Sequence, residues 1–272
     1  MNLRLLTISL VALPVSLTFA RESIHPLRLP ESSIQLGGYG ELLDDVYSAD
    51  MQMDAEYAPC NCLSLYVDAS YRFVSYEFDT MLHDQRHEAV NLEVNGFNET
   101  YVGAKFVPYS FFGVDVNWRF PPGDGSEANR FSRLGIEPFY LYNFSRSLSL
   151  GASAGYYTYL ESDNFQSGDE LGLKASLEWR LAYDSENRCG WLLDYVFLYR
   201  FRIQESKNLN LEKDYQKMDD LYRGFRMRMD AARYFSLKTH SLGIALYYEM
   251  NRGNLFGMET GHSVGLYIRF VY

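Results

Sequence analysis

Gly261–Tyr272 reads GHSVGLYIRFVY. In an extended chain successive side chains point to opposite faces. Val264, Leu266, Ile268, Phe270 and Tyr272 then share one side, and Ser263, Gly265, Tyr267, Arg269 and Val271 share the other. One face is apolar and ends on an aromatic ring; the other is mostly small, polar or charged. An edge strand of a soluble sandwich can carry the same pattern, so the rest of the chain has to decide.

Working back from this segment, the alternation recurs almost everywhere. Leu242, Ile244, Leu246 and Tyr248 oppose Gly243, Tyr247 and Glu249, and Phe225, Met227, Met229 and Ala231 oppose Arg226, Arg228 and Asp230. Leu193, Tyr195, Phe197, Tyr199 and Phe201 oppose Asp194, Arg200 and Arg202, while Leu171 to Leu181 alternates with Glu170, Lys174, Glu178 and Arg180. The first half repeats the pattern from Ile34 through Met51, Leu63, Val90, Val114 and Leu134. Asn98 interrupts one apolar face, which places a bulge at Asn95–Gly96. Pro138 falls mid-strand, where it has no N–H for the ladder, and a bulge is expected there too.

The count is about twelve strands, most near the ~9–11 residues that cross a bilayer. The aromatic C-terminus after alternating apolar residues resembles the closing strand of bacterial outer-membrane β-barrels. GYGEL at Gly38–Leu42 also resembles the opening strand of some porin-like barrels. The resemblance implies an all-β fold, a single transmembrane antiparallel up-and-down β-barrel, in the outer membrane. It implies that Phe270 and Tyr272 serve membrane assembly, Tyr272 standing where Phe is usual. The partners it implies are outer-membrane lipid, envelope chaperones and the barrel-assembly machinery; the oligomeric state stays open.

Residues 1–20 read as a signal peptide, with Arg4, an apolar run from Leu5 to Leu17, and small residues at Thr18 and Ala20. The residue after it is Arg21, not the Cys of a lipoprotein. Residues 21–32, with Pro26 and Pro30, read as a polar periplasmic lead-in, and 33–272 as the barrel. Without the leader the chain carries 24 bases against 35 acids, a net charge of −11, which argues against nucleic acid as a partner. Mean hydropathy is slightly negative, so helical membrane spans are excluded, but strands with one polar face are not. The 23 Tyr and 18 Phe exceed what a soluble domain needs and suit interfacial girdles.

The expected connections alternate in length. Tight turns fall at Pro59–Asn61, Val107–Tyr109, Phe144–Arg146, Asp184–Asn187 and Ser236–Lys238. Longer polar loops fall at Asp79–His87, Pro121–Asn129, Glu161–Gly168, Glu205–Asp219 and Asn251–Glu259. Short turns at one rim and long loops at the other are the barrel arrangement, with the long loops outside. An even strand number then puts both termini at the short-turn rim.

Signals for chemistry are weak. His240–Ser241 and His262–Ser263 invite a hydrolase reading, but strand neighbours face opposite ways and cannot form a nucleophile–base contact. His83, Asp84, His87 and Glu88 could ligate a metal only on a helix, and nothing there caps one. No phosphate loop or dinucleotide fingerprint is present. No enzyme activity, cofactor or metal is assigned. Cys60, Cys62 and Cys189 all fall at the short-turn rim. Cys189 is roughly 20 Å from the other two across a twelve-strand ring, too far for a disulfide. A Cys60–Cys62 bond would close a small strained ring and is disfavoured, although the redox state stays open.

The remaining charges face the lumen. Lys174, Arg200, Arg202, Arg226 and Arg228 form a basic belt on neighbouring strands, and Glu41, Asp54, Glu56, Asp68, Glu93 and Glu99 form an acidic wall. Opposed walls give a transverse field like that of a pore constriction. Twelve strands enclose a backbone diameter of roughly 22–24 Å, leaving at most ~10 Å between long side chains. The sequence therefore supports a porin-like passive channel for ions or small hydrophilic solutes. The alternative is a closed structural or adhesive barrel, with a hydrolase as the remote third reading.

Overall fold

The computed structural model describes residues 24–43, 46–81, 87–120, 132–160, 165–166, 168–184, 188–204, 207–208, 223–253 and 260–272. The expected signal peptide and the loop residues His83 and Asp84 lie outside these residues; His87 and Glu88 belong to a strand.

Twelve long strands are β1 (Ser33–Leu43), β2 (Val46–Cys60), β3 (Leu63–Met81), β4 (His87–Tyr109), β5 (Phe112–Phe120), β6 (Arg133–Asn143), β7 (Leu148–Tyr159), β9 (Glu170–Asp184), β10 (Cys189–Arg202), β12 (Arg223–Leu237), β13 (His240–Gly253) and β14 (Thr260–Val271). Each pairs antiparallel with its neighbours along the chain, and β14 pairs with β1 to close the ring. Two short strands, β8 (Phe165–Gln166) and β11 (Lys207–Asn208), pair with each other and link two of the long connections. No helix among the described residues is long and apolar enough to cross a membrane.

The alternation of the sequence becomes an inverted barrel. Leu36, Met51, Leu246 and Val264 are each more than half exposed on the outside, whereas Arg133 and Arg226 are 0% exposed inside. In water an exterior of Leu, Val, Ile, Phe and Met at this density would be an aggregation surface. In a bilayer it is the lipid-facing band of a transmembrane barrel, and the closed ring leaves no backbone edge unpaired there. At 19 and 23 residues, β3 and β4 exceed any bilayer crossing and carry the sheet well past it.

Bulky rings inside the wall need matching gaps. Tyr66, Phe139, Tyr157, Tyr234 and Tyr247 are the direct cross-strand partners of Gly103, Gly113, Gly135, Gly243 and Gly265. At all five glycines a Cβ would overlap the partner ring. Each ring therefore lies flat over its neighbouring strand, and this is how a lumen so rich in aromatics packs. Tyr39, Tyr234, Tyr247 and Tyr267 continue the layer with Leu192, Ala232, Ala245 and Val271.

Three local expectations are corrected. The β4 bulge falls at Asn98–Glu99, opposite Ser70, and not at Asn95–Gly96. It breaks the alternation there, so one parity does not hold from end to end of β4. Pro138 carries no bulge: it pairs in register with Val114, and the register to β7 is unchanged on either side of it. The missing N–H coincides with a lapse in pairing to β7 at Glu137 and Pro138. Cys60 and Cys62 form the disfavoured disulfide. The β2–β3 register shifts between Tyr57 and Cys60, and the tight turn at Asn61–Cys62 brings the two Cα atoms to 5.3 Å, within disulfide range. Cys189 is a free thiol.

The structure describes four of the five expected tight turns; residues 185–187 of the fifth, and most of the Pro121–Asn129, Glu161–Gly168, Glu205–Asp219 and Asn251–Glu259 loops, lie outside the described residues. Turns fall at Asn61–Cys62, Ser110–Phe111, Phe144–Ser147 and Lys238–Thr239, within a few residues of their expected places. The loop expected at Asp79–His87 is shorter, because β3 and β4 run on to Met81 and His87. Ser33 pairs with Val271, and Tyr272 N–H donates to the Ser32 carbonyl, so both ends of the barrel meet at the short-turn rim.

Candidate lumenal site

Residues 24–32 form no strand, as Pro26 and Pro30 dictate, and they enter the lumen. Ile24, 1% exposed, packs on Val196 and Leu198 of β10. His25 Nε2 lies 3.2 Å from Asp68 Oδ2 and 3.6 Å from Asp54 Oδ1. Burial lowers the pKa of this imidazole below the ordinary histidine value, against the opposing pull of Asp54. Arg28 donates from Nε to Glu178 at 3.2 Å and from Nη2 to Asp194. Glu31 accepts from Arg269 at 3.3 Å and lies 3.5 Å from Arg188, and Ser32 Oγ accepts from Ala58 N–H at 2.9 Å. The sequence reading missed this docking, since the segment has no period to read.

Its partners explain the fit. Glu178 on β9, Asp194 on β10 and Asp230 on β12 are cross-strand neighbours in one row. Like charges directly opposite one another are destabilising. Arg28 engages the first two, and Arg228 Nε donates to Asp230 at 2.8 Å.

Every base of the expected belt has a carboxylate at hand. Lys174 Nζ is 2.7 Å from Glu137 on β6. Arg200 and Arg202 lie 3.7 and 3.8 Å from Glu170 on the adjacent β9, and Arg226 is 2.5 Å from Glu249 on β13. All except Lys174 and Arg202 are buried. Of the acidic wall, Asp54 and Asp68 meet His25, while Glu56 accepts from Lys105 at 3.0 Å and Ser64 at 2.6 Å. The side chains of Glu41, Glu93 and Glu99 lie outside the described residues. Among the described residues these charges form local pairs.

Other lumenal residues read in the sequence only as ordinary polar alternates. Arg133 stands over the Tyr101 and Tyr157 rings, and Arg200 lies 4.4 Å from the Tyr157 centroid. Arg119 lies over Tyr159, whose hydroxyl donates to Glu170 at 2.9 Å. Arg72 is held by Asp50 through Nε and Nη2 at 2.7 Å. Strand parity alone places all of these inward; nothing in the sequence reports which of them stack.

Two cavities flank the docked segment. One of about 150 Å³ is lined by His25, Arg28, Asp54, Asp68, Lys105 and Lys174. The other, about 350 Å³, lies by Leu27 to Glu31, Tyr183 and Arg188 toward the short-turn rim. On the outer face Phe270 stacks with Tyr272 at 6.1 Å. His262 is exposed and shares a 2.7 Å hydrogen bond with the Tyr248 hydroxyl, while Ser263 is buried on the opposite face.

No protein-family model and no curated protein matches the chain. Solved structures do match in fold. The NanC porin superposes with a TM-score of 0.51 at 9% identity, over 87% of this chain and 98% of that one. An outer membrane channel from Pseudomonas putida F1 gives 0.55 at 10% identity, over 93% of this chain and all of that one. The fold is that of porin-like barrels.

Proposed function

We propose that the protein is an outer-membrane, porin-like passive channel for ions or small hydrophilic solutes, with residues 24–32 acting as its internal plug. The observation carrying this reading is the make-up of the lumen. Charged and tyrosyl groups dominate its described lining, with apolar patches at Leu192, Val196 and Leu198, and the segment across it is non-strand chain held mainly by ion pairs, with cavities on both sides. A passage for hydrophilic solutes needs such a lining, whereas a purely structural core could be apolar. The two structural relatives, one called a porin and the other a channel, share the fold and so support the same reading.

Purified protein in planar bilayers is expected to show discrete conductance steps, larger in a variant lacking residues 21–32. Replacing Arg200, Arg202, Arg226 and Arg228 with Ser strands Glu170, Asp230 and Glu249 as net negative charge. The reversal potential in a salt gradient should then move toward cation preference. A closed structural barrel is the second reading, favoured by the dense pairing of the buried arginines. Silence from both the full chain and the plug deletion would establish it.

A further inference from the structure

We propose that His25, Asp54 and Asp68 form a binding site for a divalent transition-metal ion, and that the bound ion ties the N-terminal segment to the barrel wall. The three donors come from three different stretches of chain: the lumenal segment, β2 and β3. Asp54 and Asp68 are direct cross-strand partners. Their carboxylates and the His25 ring offer ligand atoms that all lie within 4.8 Å of one another.

The spacing suits a small ion. Metal–ligand bonds of about 2.0–2.1 Å at tetrahedral angles put neighbouring donors roughly 3.3 Å apart. His25 Nε2 stands 3.2 Å from Asp68 Oδ2 and 3.6 Å from Asp54 Oδ1, on either side of that value. The carboxylates are held for the task by amides. Gln35 Nε2 donates to Asp54 Oδ2 at 2.8 Å, and Gln52 Nε2 reaches Asp54 Oδ1 at 3.4 Å and Asp68 Oδ1 at 3.5 Å. Outer partners of this kind fix the orientation of ligating carboxylates. The adjoining cavity of about 150 Å³ has room for water to complete the coordination.

The donor set narrows the choice of ion. A nitrogen donor beside two oxygens selects zinc-like ions over calcium or magnesium, which prefer oxygen alone. Metal binding at this place does not require a conducting lumen.

The test is zinc titration of the chelator-stripped full-length protein, folded in detergent, by calorimetry with metal analysis after dialysis. One equivalent is expected. His25→Ala and Asp54→Asn should each weaken binding at least tenfold while keeping the heat-modifiable gel shift of a folded barrel. His262→Ala, on the outer face, should leave it unchanged. X-ray absorption of the wild-type zinc complex should show one imidazole and oxygen ligands, a readout that needs no variant to fold. Absence of zinc binding, undiminished binding in His25→Ala, or a sulfur ligand from Cys189 would each overturn the proposal.

Discussion

Arg28 in the lumenal segment donates to Asp194 on β10, 166 positions further along the chain. The Asp194 side chain is 1% exposed and sits between Glu178 and Asp230 in a row of three acids. Removing one partner of a buried pair leaves the other charge uncompensated, at a cost of about 3–5 kcal/mol. Arg28→Ala is therefore expected to release residues 24–32 from the lumen. Hydrogen exchange of that peptide should rise to the rate of an open chain while the strands stay protected, and Arg28→Lys should restore part of the protection. Unchanged exchange in Arg28→Ala would show that Ile24 and Glu31 hold the segment without it.

The seam between β14 and β1 should be indispensable. Deleting residues 269–272 removes the pairings of Arg269, Phe270 and Val271 with Gln35, Ile34 and Ser33, and with them the Arg269–Glu31 ion pair. The truncated protein should accumulate unassembled and be degraded, read by fractionation and by loss of the compact, unboiled gel band. Normal membrane levels would mean that the ring closes without the last rungs of its ladder.

Thiol chemistry separates the three cysteines. The folded, unreduced protein should take up at most one maleimide, at Cys189, and three after denaturation and reduction. Replacing both Cys60 and Cys62 with Ser should leave the barrel assembled, because the strand register beyond the turn is held by the pairs from Tyr57↔Leu65 upward. The loop that the bond closes is too short to remove much unfolded-state entropy.

Ring-over-glycine packing gives a graded test. In Gly265→Ala the new methyl would overlap Tyr247, a buried ring between neighbours, and overpacking of this kind costs about 1–3 kcal/mol. At Gly40 the nearest atom to a Cβ is the Ser48 carbonyl at 3.9 Å, an ordinary contact. Gly265→Ala should therefore lower the temperature at which the unboiled band converts, and Gly40→Ala should not.

The strands are legible because lipid imposes a simple rule on every outward residue. Alternation in β14 needs no tertiary knowledge: Val264, Leu266 and Ile268 are outside because Ser263, Gly265 and Tyr267 are not. The same parity places the belt bases inward. Parity is silent on distance, however, so it gives no sign that Arg226 meets Glu249 or that Arg200 shares Glu170 with Arg202. The course of residues 24–32 is illegible for a different reason. A segment with two prolines and no repeat carries no directional signal, and its path is decided by acids more than a hundred residues away. The Asn98–Glu99 bulge escapes exact placement, since one extra residue can be absorbed anywhere between two regular runs.

The meeting of Ser33 with Val271 also sets an order of events. Each hairpin joins residues that leave the ribosome within moments of each other, whereas the last junction joins residues about 240 apart, at a closure entropy of about 5 kcal/mol. Sheet can grow pair by pair, but the cylinder cannot exist until β14 is present. A chain halted before that point has two naked margins, each able to stick to another chain. Assembly is thereby proofread by geometry: only a polypeptide read through β14 can hide both margins of its sheet.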